Sequence, residues 1–195
     1  HILLKLPLPP SSFPTLWNDF DRYQASYLSD FPGFYLTGDG GYFDEQGYLF
    51  VMGRTDDVIN VAGHRFSTGE MEEVVASHSA IAECAVIGIH DSLRGQVPIA
   101  MVIVKDGIAS ENINRIPKEI IALVREKIGA VAYLKQALVV KRLPKTRSGK
   151  ILRNVLRQLA DGENFRPPST IDDPEALTEM EKIFKDYKVG YYQSP

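Results

Sequence analysis

The sequence predicts an α+β fold over residues 57–195, with helices packed on a small three-stranded sheet. Three observations predict it. Residues 82–90 and 97–104 are near-continuous apolar runs separated by a polar turn at 91–95, the pattern of strands buried on both faces. Residues 113–128 place Ile116, Ile120, Leu123, Val124 and Ile128 at helical spacing, which marks an amphipathic helix. Residues 136–141 supply a third strand, and Leu152, Val155, Leu156 and Leu159 return to helical spacing after it.

From the beginning of the chain, residues 1–14 carry Pro7, Pro9, Pro10 and Pro14, a density that implies an extended connector with at most one edge strand. Residues 15–28 set Leu16, Trp17, Phe20, Tyr23 and Tyr27 near helical spacing. Such an aromatic face packs on a core, and exposing it without a larger partner would be costly. Residues 34–39 read as a short strand ending in a glycine turn, with Asp39 beside Gly38. Tyr42-Phe43 and 48–52 flank Asp44-Glu45-Gln46-Gly47, a hairpin with Gly47 placed for positive φ.

Gly53-Arg54-Thr55-Asp56-Asp57 makes a turn by itself. Residues 58–66 read as a second small hairpin. Ser67-x-x-Glu70 is a capping box opening a short helix through Met71, Val74, Val75 and His78. His78 reads as a helix-end histidine, and Arg125 as a cation at the end of its helix, both favoured by the helix dipole. His64 has no carboxylate or cysteine at ligand spacing, so no metal role is assigned to it.

Residues 143–153 read Leu-Pro-Lys-Thr-Arg-Ser-Gly-Lys-Ile-Leu-Arg. Pro144 stops the preceding strand, and Thr146 to Gly149 suit a turn. Lys150 is therefore expected where a mobile loop becomes a helix. Free N–H groups and partial positive charge at such a place suit an anion, and a lysine adds a point charge on a long stem. Ser-Gly-Lys is not a Walker A remnant: no glycine stands five residues before Gly149, and Ile151 replaces the required Ser/Thr. A solvated basic face competes, since 141–157 holds seven Lys/Arg and no acid. Further on, 161–170 is a polar loop, Asp173-Pro174 starts a helix, and Leu177, Met180, Phe184 and Tyr187 form its apolar face.

Three stretches together carry a resemblance: Tyr35–Asp39, the run 53–65, and the run 143–153. They are similar to motifs of the acyl-adenylate-forming enzymes, most of all the acetyl- and propionyl-CoA synthetase branch. The resemblance covers nearly the whole chain but only about the last third of the family's length. It implies that 1–56 is the end of a larger N-terminal domain and 57–195 a mobile C-terminal domain carrying a catalytic lysine. By the resemblance, Lys150 is catalytic. Thr37, Asp39 and Arg54 contact ATP, with Asp39 on the ribose hydroxyls, and Asp56 is the hinge. Gly63 lets backbone approach the pantetheine of CoA, Arg65 faces a phosphate, and Arg125, 25 residues before Lys150, binds the CoA 3′-phosphate. The implied reaction joins a short-chain carboxylate to CoA with ATP and Mg²⁺, giving AMP and pyrophosphate. A structural Mg²⁺ near Ala76, His78 and Ile81 is permitted but not indicated. The tail Ser-Thr-Ile-Asp-Asp-Pro is similar to propionyl-type enzymes and points weakly to a three-carbon acid; acetate is the alternative. The family's phosphate loop and acyl pocket do not occur in this sequence, so the segment alone is expected to be inactive.

Composition bounds the alternatives. With 195 residues, 44% hydrophobic and 24% charged, the chain fits one globular domain or one plus part of another. A net charge of −3 disfavours a nucleic-acid binder. A polyanion-binding module using Arg147, Arg153 and Arg157 remains the reading of another class, against which no aromatics interleave with the basic residues. A purely structural domain is the third. The single cysteine, Cys84, fits a reducing compartment and reads as a buried inert thiol. No apolar run is long enough for a membrane span. The chain opens His-Ile-Leu-Leu-Lys without a targeting pattern and looks like a piece of something longer. The expected location is the cytoplasm, or the mitochondrial matrix in a eukaryote.

Overall fold

The computed structural model describes residues 1–193. Two compact units divide the chain, His1–Asp56 and Asp57–Pro195.

In the first unit, β1 (Leu3–Lys5) pairs antiparallel with β2 (Phe34–Leu36), and α1 (Phe20–Tyr27) lies between them in sequence. The helix is shorter than the aromatic spacing suggests. Asn18 takes φ of 51°, which no right-handed helix tolerates, and Asp19 then caps α1 by accepting from Arg22 N–H. Tyr23 is its one buried residue, ringed by Phe13, Phe20, Tyr27 and Tyr35, whereas Trp17 is 91% exposed. β3 (Asp39–Phe43) and β4 (Leu49–Arg54) form the expected hairpin. Its turn closes through Asp44 N–H to Tyr48 O (3.0 Å), with Asp44 Oδ1 taking the N–H groups of Gln46 and Tyr48 and Gly47 at φ 86°.

The second unit is built on one sheet. β5 (Val58–Val61) and β6 (His64–Ser67) form a hairpin over Ala62-Gly63, both at positive φ. α2 (Thr68–Ala76) follows directly. The long strands β7 (Ile81–Asp91) and β8 (Gly95–Val104) pair antiparallel along their whole length. α3 (Ser110–Ile113) and α4 (Ile116–Lys127) lead to a 3₁₀ turn at Ala130–Ala132, and β9 (Gln136–Val139) then pairs parallel with β8. α5 (Arg153–Ala160) and α6 (Glu175–Asp186) complete the unit, with a 3₁₀ turn at Gly190–Gln193.

Several expectations are refined. The three expected strands are β7, β8 and β9, but the sheet has five, because the hairpin joins it through Val61 opposite Gly95 of β8. The helix expected over 113–128 is α4 and starts three residues later, at Ile116, since Pro117 lacks an N–H and belongs in a first turn; the short α3 precedes it. The capping box does not form: Ser67 makes no side-chain cap, and Thr68 N–H donates to Asp57 O (3.3 Å) instead.

The sheet separates two apolar layers. On one face Ile59, Val61, Val86 and Val102 pack with Met71 and Val75 of α2 and with Ile116, Ile120 and Val124 of α4. On the other, Ile87, Ile99 and Leu138 pack with Leu156 of α5 and with Met180 and Phe184 of α6. β7 and β8 are thus buried on both sides, as their unbroken apolar runs require.

Candidate functional site

Among the first unit's residues, Thr37, Asp39, Arg54 and Asp56 converge. Thr37 Oγ1 donates to Ile2 O (2.8 Å) and accepts from Asp39 N–H (3.1 Å). Arg54 faces Asp39 across the β3–β4 ladder. Its guanidinium donates to Thr37 O (3.1 Å) and Asp56 Oδ1 (2.9 Å) and lies 3.7 Å from Asp39 Oδ1. Gly38, at φ 80°, makes room for it: a Cβ there would fall 2.6 Å from the guanidinium nitrogens. The result is a half-exposed cation flanked by two partly exposed carboxylates, a surface able to offer acceptors to hydroxyl groups.

In the second unit, Gly63 sits at φ 88° at the tip of the β5–β6 hairpin, with no atom within 4 Å of where a Cβ would stand. Glycine is required there by conformation rather than by packing. Arg65 is exposed on β6. Arg125, exposed in the last turn of α4, lines a cavity of about 280 Å³ with Ile121, Ala130, Tyr133 and Leu134. Arg94 connects these places: its carbonyl accepts Ala62 N–H (2.8 Å), and its guanidinium lies 4.1 Å over the Tyr133 ring.

Lys150 belongs to a third place. It precedes α5, whose first residue is Arg153, and the helix has no side-chain cap. The expected loop-to-helix position is refined: Lys150 lies in a closed turn, two residues before the cap residue Leu152, and the helix starts at Arg153 rather than Ile151. Lys145 bridges Ile151; Thr146 N–H donates to Lys150 O (2.8 Å), Gly149 N–H to Thr146 O (2.8 Å), and Lys150 N–H to Thr146 Oγ1 (3.1 Å). A segment of the tail runs alongside, with Arg147 N–H to Thr170 O (3.0 Å) and Asp172 N–H to Lys145 O (2.9 Å). Lys150 is left exposed at the tip. Arg125 stands on α4, which covers one face of the sheet, whereas the Lys150 turn leads into α5, which covers the other.

The basic run 141–157 finds acids from elsewhere in the chain. Arg142 pairs with Asp173 and with Glu179 (2.8 Å), Lys145 with Glu83 (2.6 Å), and Arg153 with Glu72 (2.7 Å). Its sequence showed seven cations and no acid; the acids arrive from 31 to 81 positions away. These partners were not legible beforehand, because nothing local announces them. Arg153, offered above as a phosphate contact, is used internally.

His78 Nε2 bonds Glu119 Oε2 (3.0 Å), its Nδ1 accepts Ala80 N–H (3.3 Å), and its carbonyl accepts Ile81 N–H (3.0 Å). Both ring nitrogens are thus engaged within the chain. Among the described residues no cluster of three or more His, Cys, Asp or Glu is placed to hold a metal ion. Among them, too, no helix is long and apolar enough to cross a membrane.

Comparison with known proteins gives these surfaces a context. The family model described as the AMP-binding enzyme C-terminal domain matches residues 70–150, ending on Lys150. An uncharacterised protein of Pseudomonas aeruginosa is 60% identical over 191 residues, covering 97% of this chain and 30% of its own length. The mitochondrial acyl-CoA synthetase short-chain family member 3 of Mus musculus is 48% identical over 186 residues, 95% of this chain and 27% of its own. An acetyl-coenzyme A synthetase of Pyrobaculum aerophilum is 40% identical over 188 residues, 96% and 28%. Among solved structures, ATP-bound MatB from Rhodopseudomonas palustris superposes with a TM-score of 0.62 at 26% identity, covering 76% of this chain and 28% of that one. The chain spans about 30% or less of the length of these relatives. Residues 70–150 match the AMP-binding enzyme C-terminal domain, and the relatives that the chain is similar to include short-chain acyl-CoA synthetases.

Proposed function

We propose that the chain is the C-terminal part of an AMP-forming short-chain acyl-CoA ligase. A carboxylate attacks the α-phosphate of ATP, supplied as its Mg²⁺ complex, to give acyl-adenylate and pyrophosphate. The CoA thiol then displaces AMP to give the thioester. In this reading 1–56 closes a larger N-terminal domain, 57–195 is the mobile domain, and Asp56 is the pivot between them. The division into compact units between Asp56 and Asp57 supports that placement.

Each surface has a part. Thr37, Asp39 and Arg54 serve the nucleotide, with the Asp39 carboxylate accepting from ribose hydroxyls. Gly63 and Arg65 on the hairpin, and Arg125 at its cavity, serve CoA, with Arg125 on the 3′-phosphate. Lys150 offsets the charge that develops between the attacking carboxylate and the α-phosphate. Rotation about Asp56 exchanges the Lys150 turn for the CoA surface at the reacting atoms. The observation that carries the reading is the Lys150 turn. In a run whose other cations include Arg142, Lys145 and Arg153 already paired to acids, it presents an exposed ammonium on a backbone closed by Thr146. The same pairing speaks against a polyanion-binding module.

Propionate is the proposed acid, on the weak likeness of the tail; the relatives support acetate equally. The compartment follows the relatives, cytoplasm in a bacterium and mitochondrial matrix in a eukaryote.

The test uses the full-length enzyme. Lys150→Ala should lower acid-dependent pyrophosphate exchange by roughly 10²–10³-fold. Supplied with preformed propionyl-adenylate and CoA, the same variant should form thioester at near wild-type rate. Parallel loss of both steps at unchanged thermal stability would overturn the assignment.

A further inference from the structure

We propose that Glu72 is a positioning residue for Lys150, acting through Arg153. This rests on the reading of Lys150 as the residue of the adenylation step. The internal hydrogen bonds of the 145–151 turn fix its shape, but not the direction in which it points. The tail segment holds it on one side, through Thr170 O and Asp172 N–H, and its tie to the sheet edge and α2 is made where the turn enters α5, three residues beyond Lys150.

There Arg153 makes a two-pronged pair with Glu72 of α2: Nε to Oε1 at 2.8 Å and Nη2 to Oε2 at 2.7 Å. Two parallel bonds between planar groups fix angle as well as distance, which a single bond or a lysine would not. Glu72 is itself held. Its Oε1 also takes the N–H of Val86 on β7 (2.9 Å). The two side chains are 23% and 16% exposed, so most of their hydration is gone. A pair so placed resists separation, because either partner alone would leave a desolvated charge. Asp57 adds negative potential at Arg153, reinforcing its cationic form.

The location matters. α2 covers one face of the sheet and α5 the other. Val86 pairs only with β8 on its other side, so its N–H toward Glu72 marks the free edge of β7. The Glu72–Arg153 pair therefore crosses that edge and couples the start of α5 to the opposite layer. A second pair, Lys145 with Glu83 of β7 (2.6 Å), secures the other limb of the turn to the same strand. With both limbs tied, the ammonium is presented along a fixed direction. Displacement of a reacting charge by about 1 Å costs up to about 10²-fold in rate.

The experiment uses the full-length enzyme and four variants: Glu72→Gln, Arg153→Lys, Lys150→Ala and Glu72→Gln/Lys150→Ala. Glutamine keeps an acceptor for Val86 N–H while removing the charge. Glu72→Gln should lower kcat for pyrophosphate exchange by about 10-fold to 10²-fold, with little change in the KM for ATP. Thioester formation from preformed acyl-adenylate should stay within about 2-fold of wild type, since the lysine is not used there. In the Lys150→Ala background Glu72→Gln should add nothing, because it acts through that lysine. Arg153→Lys, which keeps the charge and loses the fork, should repeat the selective loss; it carries the test should Glu72→Gln not fold. If Lys150→Ala is selective for adenylation but Glu72→Gln slows both steps, has no effect, or multiplies the Lys150→Ala defect, the positioning role falls and the lysine assignment stands. If Lys150→Ala itself slows both steps equally, the underlying reading falls, and the proposal with it.

Discussion

Cys84 shows how strongly one residue's chemistry follows its surroundings. It is 9% exposed on β7, and its thiol donates to Glu72 O (3.4 Å). Burial pushes its pKa up to about 11, the Glu72 and Glu83 carboxylates push the same way, and Arg153 opposes them. At pH 8 the thiolate is then about 10²-fold scarcer than for a free cysteine. Native protein should therefore alkylate with iodoacetamide at least about 10²-fold more slowly than unfolded protein, followed by mass spectrometry. Complete native labelling at the rate of a free thiol would contradict this. Asp161 is the opposite kind of case, a carboxylate in an unfavourable place. It stands at the C-terminal end of α5, and burial raises its pKa, partly offset by His90 N–H donating to Oδ1 (2.8 Å). A raised folded-state pKa means the fold favours the protonated acid. Its stabilising contribution is complete below the ordinary carboxylate value and is lost as pH rises through the raised one. Asp161→Asn keeps an acceptor for His90 and removes the charge. It should raise stability at pH 7 relative to wild type and show no such gain at pH 3, measured by urea denaturation at both. A variant less stable at pH 7 would refute the sign.

At the scale of elements, β7 is the informative strand. It is an edge strand with N–H groups turned away from β8, and side-chain carboxylates occupy them: Glu72 on Val86 and Asp161 on His90. Such covering keeps an edge from pairing with another chain. The acids come from the helices on either side, so the edge also registers α2 and α5 against the sheet. α6 and the turn after it close the second apolar layer, with Phe184 and Val189 fully buried. Gly190 allows that closure. It takes φ of 53°, and a Cβ there would lie inside van der Waals contact with the Ala160 carbonyl oxygen. Backbone cannot yield as a side chain would, so Gly190→Ala should destabilise the fold by about 1–3 kcal/mol. A urea midpoint unchanged from wild type, with the same slope, would show that the turn accommodates the methyl group.

For the whole molecule, the two compact units differ in what they bury. The unit from Asp57 has an apolar layer on each face of a five-stranded sheet, closed by α2 and α4 on one side and α5 and α6 on the other. The unit ending at Asp56 has two two-stranded sheets and one helix, and leaves Trp17 91% and Phe43 70% exposed. Two-stranded sheets are marginal by themselves. Residues 57–195 expressed alone should therefore unfold cooperatively in urea, followed by far-ultraviolet circular dichroism because the single tryptophan lies outside them. Residues 1–56 alone should show no cooperative transition. A cooperative transition in the short piece, or none in the long one, would reverse this assignment of stability.

What the sequence determined by itself was local. The unbroken apolar runs became β7 and β8, and the spacing of Ile116, Ile120 and Val124 became the inward face of α4. Asp44 to Gly47 became a hairpin turn with glycine at positive φ. Period, turn chemistry and φ preference act over a few residues, so a linear reading contains them. Fine local features already escaped it where two short-range effects competed. Asn18 shortened α1, Pro117 moved the start of α4 to Ile116, and Ser67 ended a strand without a side-chain cap on the helix that follows. Tertiary structure alone decided the rest. It joined the Val58–Ser67 hairpin to β8, laid β9 parallel beside it, and set α4, which carries Arg125, and α5, which follows Lys150, on opposite faces. It also turned a run of seven cations into one with acids at its sides, bringing Glu72 to Arg153 across 81 positions and Glu83 to Lys145 across 62. The physical reason is that an ion pair has no sequence period. Its partners are chosen by which side chains the packed layers leave facing one another at the sheet edge, and that exists only once the layers have formed.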